Sequence, residues 1–300
     1  MTLVRALPPA LDGHHVLVVP RGTDVHALAA AWYADATWER EPVAAVAASR
    51  PTGARFRGIA VAETAAVDGL LRLDDDTALI GPFAVDGPDT GTGTGPVDAY
   101  GLETRPAAGP TTAAAGRRAT QWMTAAARRS AGMVASANRT RSLVPDPDAR
   151  PDLTLWSAEP MSATDAVALV RPALSGARLA PSDVPHAHGP GPQPFALTAT
   201  YEYDGAVTVR LDRGTQPPAL AAVDWREHGP WAYRVAWAPL EPAELDVEDP
   251  SPLHVIARQR VAPAIARATA ALWRAVGGTV LDAGAFVVPA DDLRARTTRP

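Results

Sequence analysis

Apolar positions along the chain change period several times, and the changes come in the same order twice. In HHVLVVPRGTDVHALAAAW, Val16 to Val19 predict a strand, and Thr23 or Asp24 a helix cap. Val25, Leu28 and Trp32 then recur at i, i+3 and i+7, the stripe of a core-facing helix. The second pass is LTLWSAEPMSATDAVALVRPAL. Here Leu153 to Trp156 predict the strand, Ser162 to Asp165 a capping-box-like start, and Val167, Val170 and Leu174 the stripe. Pro172 should bend or end that helix, because it lacks the N–H the next turn needs.

An Asp-Gly pair between apolar runs follows each helix, at Asp68-Gly69 and at Asp204-Gly205. Asp-Gly tolerates positive φ and predicts a hairpin turn. In the later copy, alternation favours a three-residue loop, Asp204 to Ala206, with Tyr203 opposite Val207 and Tyr201 opposite Val209. The next landmark is a strand with Ala-Tyr, five residues and Pro: AYGLETRP at 99–106 and AYRVAWAP at 232–239. Last comes a long helix that ends in glycine and leads to a final strand. The earlier one has a Thr cap at 111 or 112 and stops near Gly132. The later one starts at Ser251 with Pro252 in its first position and stops at Gly277-Gly278. Val261, Ile265, Ala268, Leu272 and Val276 line one face of it, and Pro263 should kink it or begin a second helix.

Four landmarks in one order predict a tandem duplication of a strand–helix–hairpin–strand–helix–strand unit. That order resembles the split βαβ plan of ferredoxin-like domains with one strand added. The expected class is α+β: two ferredoxin-like-type units with antiparallel or mixed sheets and helices on one face. VPDPDARPD, with prolines at 145, 147 and 151, marks the joint as a stiff, extended linker. The expected divisions are an N-terminal tail over 1–13, a first unit over 14–144, a Pro/Asp linker over 145–151, a second unit over 152–290 and a C-terminal tail over 291–300. Two low-complexity loops, 86–96 and 180–194, decorate the units.

Composition narrows the chemistry. All 28 basic residues are Arg, and the chain has no Cys. That excludes Schiff-base lysines, a P-loop lysine, thiol nucleophiles and thiolate zinc sites. No cofactor is expected, and any catalysis would be built from His, carboxylates, hydroxyls and Arg. The absence of an apolar run of spanning length, of a signal-peptide pattern and of Cys gives the expectation of a cytoplasmic protein away from the membrane. The net charge of −5 gives no overall pull toward nucleic acid.

Most letters that suggest a site have a plainer reading. GTGTG at 91–95 lacks the strand–turn–helix context of a phosphate loop. His186-x-His188, even with His14 and His15, lacks the orienting support of a metal site. Asp74 to Asp76 read as a turn rather than a divalent-ion site. Glu202 beside a His such as His228 is a general-base arrangement with nothing to select it.

Two features carry more. Trp225, Trp231, Tyr233 and Trp237 crowd one segment, as core filling against the last helix and its Trp273, or as a ligand surface. Between Glu103 and Asp146 there is no acidic residue but seven arginines: Arg105, Arg117, Arg118, Arg128, Arg129, Arg139 and Arg141. Helix positions eleven apart differ by about 20°, so Arg117 stacks on Arg128 and Arg118 on Arg129, with Trp122 at the flank. Met123, Ala119 and Ala126 turn toward a core. The acidic block ELDVEDP, 244–250, is the expected counter-charge within the molecule, and nucleic acid the less favoured one.

The function expected from the sequence is a non-catalytic soluble binding or interaction protein, with a protein or small-molecule partner and a cleft between its halves as the working surface. The alternatives are an anion or nucleic-acid binder using the arginine face, and a hydrolase built from His and carboxylates without motif support.

Overall fold

A computed structural model describes residues 7–43, 67–85, 95–104, 110–180 and 193–298, without the side chains of 110–112. The chain divides into two compact units, Met1–Pro145 and Asp146–Pro300. The class is α+β, with two antiparallel sheets and, among the described residues, five α-helices. No described helix is long and apolar enough to cross a membrane.

The first unit runs β1 (His15–Pro20), α1 (Val25–Ala30), β2 (Thr37–Arg40), β3 (Gly69–Arg72), β4 (Thr77–Val85), β5 (Val97–Thr104), α2 (Pro110–Ser130), β6 (Met133–Ala135) and β7 (Ser142–Leu143). Its sheet order is β2-β3-β4-β5-β1-β6-β7. Asp24 caps α1, its side chain accepting from Ala27 N. Every residue of β1 from Val16 to Val19 is buried, so both faces of this central strand are covered. Val16 and Val18 pack with Leu7, Leu11, Val97, Ala99 and Met133, while α2 packs against the sheet through β1, β4, β5 and β6. Ala119, Met123 and Ala126 on α2 are fully buried, as the stripe predicted.

The second unit runs β8 (Leu153–Ser157), α3 (Ala163–Val170), β9 (Arg178–Leu179), β10 (Phe195–Tyr201), β11 (Gly205–Arg213), β12 (Trp231–Ala238), α4 (Pro252–Val276), β13 (Thr279–Asp282) and α5 (Ala290–Thr298). Its sheet order is β13-β8-β12-β11-β10-β9. Alternation is clean: Val207, Val209 and Leu211 face a single core with Leu155, Tyr233, Val261, Ile265 and Leu272. Ser162 caps α3, and its hydroxyl donates to Asp165 while accepting from Asp165 N. That helix ends at Val170, two residues before Pro172. By contrast α4 runs unbroken through Pro263, so no second helix begins there. Its C-cap is Gly277, at φ 64°.

Several expectations need correcting. Asp68-Gly69 is not a turn: Gly69 opens β3 opposite Gly81, and Val67 bridges Val43. A Cβ on Gly69 would lie 2.6 Å from Gly81 O and 2.7 Å from the Trp38 ring, so this glycine serves close approach. The hairpin turn lies later, where Asp74 Oδ1 accepts from Asp76 N, Thr77 N and Thr77 Oγ1. The stretch before it, 58–66, lies outside the described residues.

The later hairpin does have a three-residue loop, but it spans 202–204, with Tyr201 paired to Gly205 and Ala199 to Val207. The shift of register is even, so Tyr201 keeps its predicted face, but Tyr203 falls in the loop, exposed, instead of opposite Val207. Helix α2 begins at Pro110, which puts Thr111 and Thr112 inside it rather than at its cap. Its left-handed end residue is Ala131 at φ 55°, not Gly132. A Cβ on Gly132 would lie 2.2 Å from Val18 O, so its bareness lets β1 approach.

Some described residues of the expected tails and linker pack with the units. Leu7 and Leu11 are buried in the first core, and Leu293 of α5 is buried in the second. Asp146 pairs with Arg258, Arg150 with Asp246, and Asp152 accepts from Trp237 N.

Candidate functional site

The four arginines of α2 hold the predicted helical positions, because the helix is continuous. Arg117, Arg118 and Arg129 are exposed, and Arg128 is half-buried. Arg118 is engaged by its own unit: it donates to Trp32 O and lies 4.7 Å over the Tyr33 ring. Arg128 and Arg129 occupy the last turn, where they complement the helix dipole. Trp122 is no flank residue. It is fully buried, stacks edge-on against Tyr33 and donates to Leu28 O. Arg139 turns inward, donating to Leu11 O, and Arg105 lies outside the described residues.

The aromatic cluster also separates. Trp231 and Trp237 are buried in the second core with Tyr233, and Trp273 packs against it. Core filling is therefore their role. Tyr233 donates to Glu159 O, and burial pushes its hydroxyl up to about 12. Trp225 alone of the three tryptophans stays on the surface, 71% exposed beneath Arg226.

His186, His188 and most of the GTGTG loop lie outside the described residues. Glu202 is exposed in the hairpin loop and shares no hydrogen bond or ion pair with His228 among the described residues. His14 is held by a hydrogen bond to Leu102 O. No group of three His, Asp or Glu able to hold a metal occurs among the described residues.

Sequence reasoning missed two assemblies in the second unit. The first gathers at the start of α4. Ser251 Oγ donates to Glu244 Oε2 at 2.8 Å and accepts from His254 N, and Ser251 N also donates to Glu244. The His254 ring is nearly buried, packed 4.8 Å from the Trp237 ring, with Nδ1 3.6 Å from Glu244 Oε2. Burial lowers the His254 pKa, and Arg258 and Arg150 add to this against the pull of Glu244. The Ser251 bonds hold the Glu244 carboxyl below its ordinary range, whereas burial raises Asp152 despite its bond from Trp237 N.

Ser, His and Glu in one place suggest a nucleophile, but the order is wrong for it. An activated serine donates to the imidazole, and the carboxylate orients the far ring nitrogen. Here the hydroxyl donates to the carboxylate and touches only the histidine backbone. The arrangement is a helix cap. It also accounts for Glu244 and Asp246 of the acidic block, whose partners are Ser251 and Arg150 of the same unit.

The cap has a measurable consequence. A buried imidazole kept neutral in the folded chain takes up a proton more readily once unfolded. The stability it contributes is complete above about pH 6.5, the unperturbed value, and is lost as pH falls below it. His254→Phe, which keeps the ring against Trp237, is expected to flatten that part of the stability–pH curve in urea unfolding. Equal slopes for both proteins between about pH 6.5 and 5 would show that His254 stays as hydrated as in the open chain.

The second assembly is an open groove of about 520 Å³ between α3 and α4. Leu169, Ala173, Ala271 and Ala275 give it an apolar floor, and Arg267 and Arg274 flank it. Its α4 side is the spacing 267, 271, 274, 275, one face of a helix. Arg267 donates to Thr297 O and Arg274 to Ala270 O, but no carboxylate pairs with either among the described residues. Elsewhere in the unit Arg150, Arg258 and Arg260 each have an Asp. The sequence signal for this groove was present in the Arg-x3-Ala-x2-Arg-Ala run of the last helix. It was hidden because the facing residues, Leu169, Pro172 and Ala173, come from the end of α3 and the turn after it, about a hundred positions earlier.

Comparison with protein-family models, with curated proteins and with solved structures finds no match to this chain.

Proposed function

We propose that the chain is a non-catalytic binding or interaction protein built from a duplicated α+β unit, and that the α3/α4 groove is a working surface of its second unit. The duplication is supported by connectivity. Read from β2 to β6, the first sheet runs β2-β3-β4-β5-β1-β6, and the second runs β9-β10-β11-β12-β8-β13. In each, the Ala-Tyr strand lies beside the opening strand, and the strand that follows the long helix, β6 or β13, flanks that opening strand on its other side. A second parallel supports it: a Cβ on Gly278, like one on Gly132, would lie 2.2 Å from a carbonyl of the opening strand, here Trp156 O. The ferredoxin-like plan has two strands between its helices, whereas each unit here has four described strands there, β2 to β5 and β9 to β12; the even addition leaves the Ala-Tyr strand antiparallel to the opening strand.

The observation that carries the binding reading is the groove, apolar below and cationic at its rim. The cap geometry of Ser251 argues against a serine nucleophile at that position, since its hydroxyl is committed to a carboxylate. Tagged full-length chain recovered from the cells that make it is expected to retain a partner in stoichiometric amount. Ala271→Trp, which fills the floor at a half-exposed position, is expected to release that partner without lowering the melting temperature. A chain that purifies alone, or a partner that survives Ala271→Trp, overturns the reading. Anion or nucleic-acid binding through Arg117, Arg118, Arg128 and Arg129 is a second reading, supported by the unbroken α2 that aligns them. Steep loss of binding with salt would favour it over the groove.

A further inference from the structure

We infer that the occupant of the α3/α4 groove is an acidic amphipathic helix of a protein partner. The inference rests on the binding reading and adds the chemistry of what binds. Three observations converge on it. The floor is made of small and apolar side chains, Leu169, Ala173, Ala271 and Ala275, which let another backbone come close. The groove is open rather than closed over, which suits a chain segment laid across it; small-molecule sites bury most of their ligand. Finally, Arg267 and Arg274 stand on the same face of α4 with no carboxylate partner among the described residues.

Spacing gives the ligand its form. Positions seven apart on a helix lie two turns apart, about 10.5 Å along the axis. Arg267 and Arg274 therefore present two cations at the repeat of a second helix with acidic residues at i and i+7 and apolar residues between. Each guanidinium has spent one donor on a backbone carbonyl and retains others in a planar fork suited to a carboxylate. Apolar contacts with the alanine floor supply the area, and the two ion pairs set register and direction.

The test is a selection of displayed random peptides of about 16 residues, four helical turns, on the full-length chain. The enriched peptides are expected to carry Asp or Glu two turns apart around apolar residues. The synthesised peptides should bind the double variant Arg267→Glu/Arg274→Glu at least about tenfold more weakly, and the change of Glu to Lys in the peptide should restore binding to that variant. Both arginines are exposed, so equal melting temperatures of the two proteins will show that the fold is intact. Enrichment without acidic bias, equal binding to the double variant, selection of nothing, or displacement of the peptides by an uncharged fatty-chain detergent but not by acidic peptide overturns the inference. If the natural partner is still lost from Ala271→Trp in those cases, the groove binds and only its acidic occupant is wrong. If that partner also survives Ala271→Trp, the binding reading falls with it.

Discussion

Trp122→Ala is expected to destabilise the first unit by about 3–5 kcal/mol, the cost of emptying a large aromatic site in a packed core. The ring has no exposed surface, meets Tyr33 edge-on and donates its Nε1–H to Leu28 O across the gap between α2 and the end of α1. Alanine would leave a cavity, free Tyr33 to move and strand a carbonyl. Against a usual total of about 5–15 kcal/mol, the unit would be close to unfolding at room temperature. Trp122→Phe keeps most of the volume and loses the donor, so its expected cost is smaller, about 1–3 kcal/mol. Urea unfolding followed by far-UV circular dichroism measures both. A change within about 0.5 kcal/mol for Trp122→Ala would mark Trp122 as a surface residue and return it to the arginine face as a binding group.

The second large effect is expected at Asp146→Ala. Arg258 of α4 is only 4% exposed, its Nε is buried without a hydrogen-bond partner, and its charge is met by Asp146. Removing the carboxylate leaves a buried guanidinium uncompensated, which costs about 3 kcal/mol, the low end for a broken buried pair, because Asp146 itself is half-exposed. Arg258→Met should cost much less, since an apolar side chain of similar length replaces the ion in the same space. The decisive measurement is the double variant Asp146→Ala/Arg258→Met. It should recover most of the stability lost by Asp146→Ala alone. If Asp146→Ala is silent, residues 146–152 are a free linker and the pair contributes nothing to holding them on the second unit.

The elements themselves were largely legible in the sequence. Caps at Asp24, Ser162 and Ser251 declare themselves through side chains that bond their own helix starts. The stripe from Val261 to Leu272 is fixed by helical period, and the alternation from Val207 to Leu211 by strand period. These depend on neighbours within a few residues, and so survive without knowledge of the rest of the chain.

Glycine was read less well, because its letter does not say which of its two properties is in use. At Gly277 the positive φ matters and the helix stop is found; at Gly69 and Gly132 bareness matters, where the letters suggest a turn and no more than a helix stop nearby. The short edge strands β2 and β9 were missed because they contribute few buried side chains: their patterns are almost wholly exposed. Helix α5 falls in the expected C-terminal tail because DDLRARTT shows one large apolar residue, Leu293, too few for a period.

At the candidate sites the limit is sharper. The arginine stripe of α2 follows from sequence, because eleven positions along one helix fix an angle. Whether Trp122 beside it faces solvent or core does not follow, since its partners Leu28 and Tyr33 lie some ninety residues away. The same holds for the α3/α4 groove and for the pairing of Arg258 with Asp146. The chain alone determined which chemistry is missing, with no lysine and no cysteine, and that most of its helices and central strands exist and which faces they bury, because these are local. Only the tertiary structure decided which tryptophans are buried, which arginines are spent and where a groove opens, because burial and ion pairing are properties of residues brought together from distant parts of the chain.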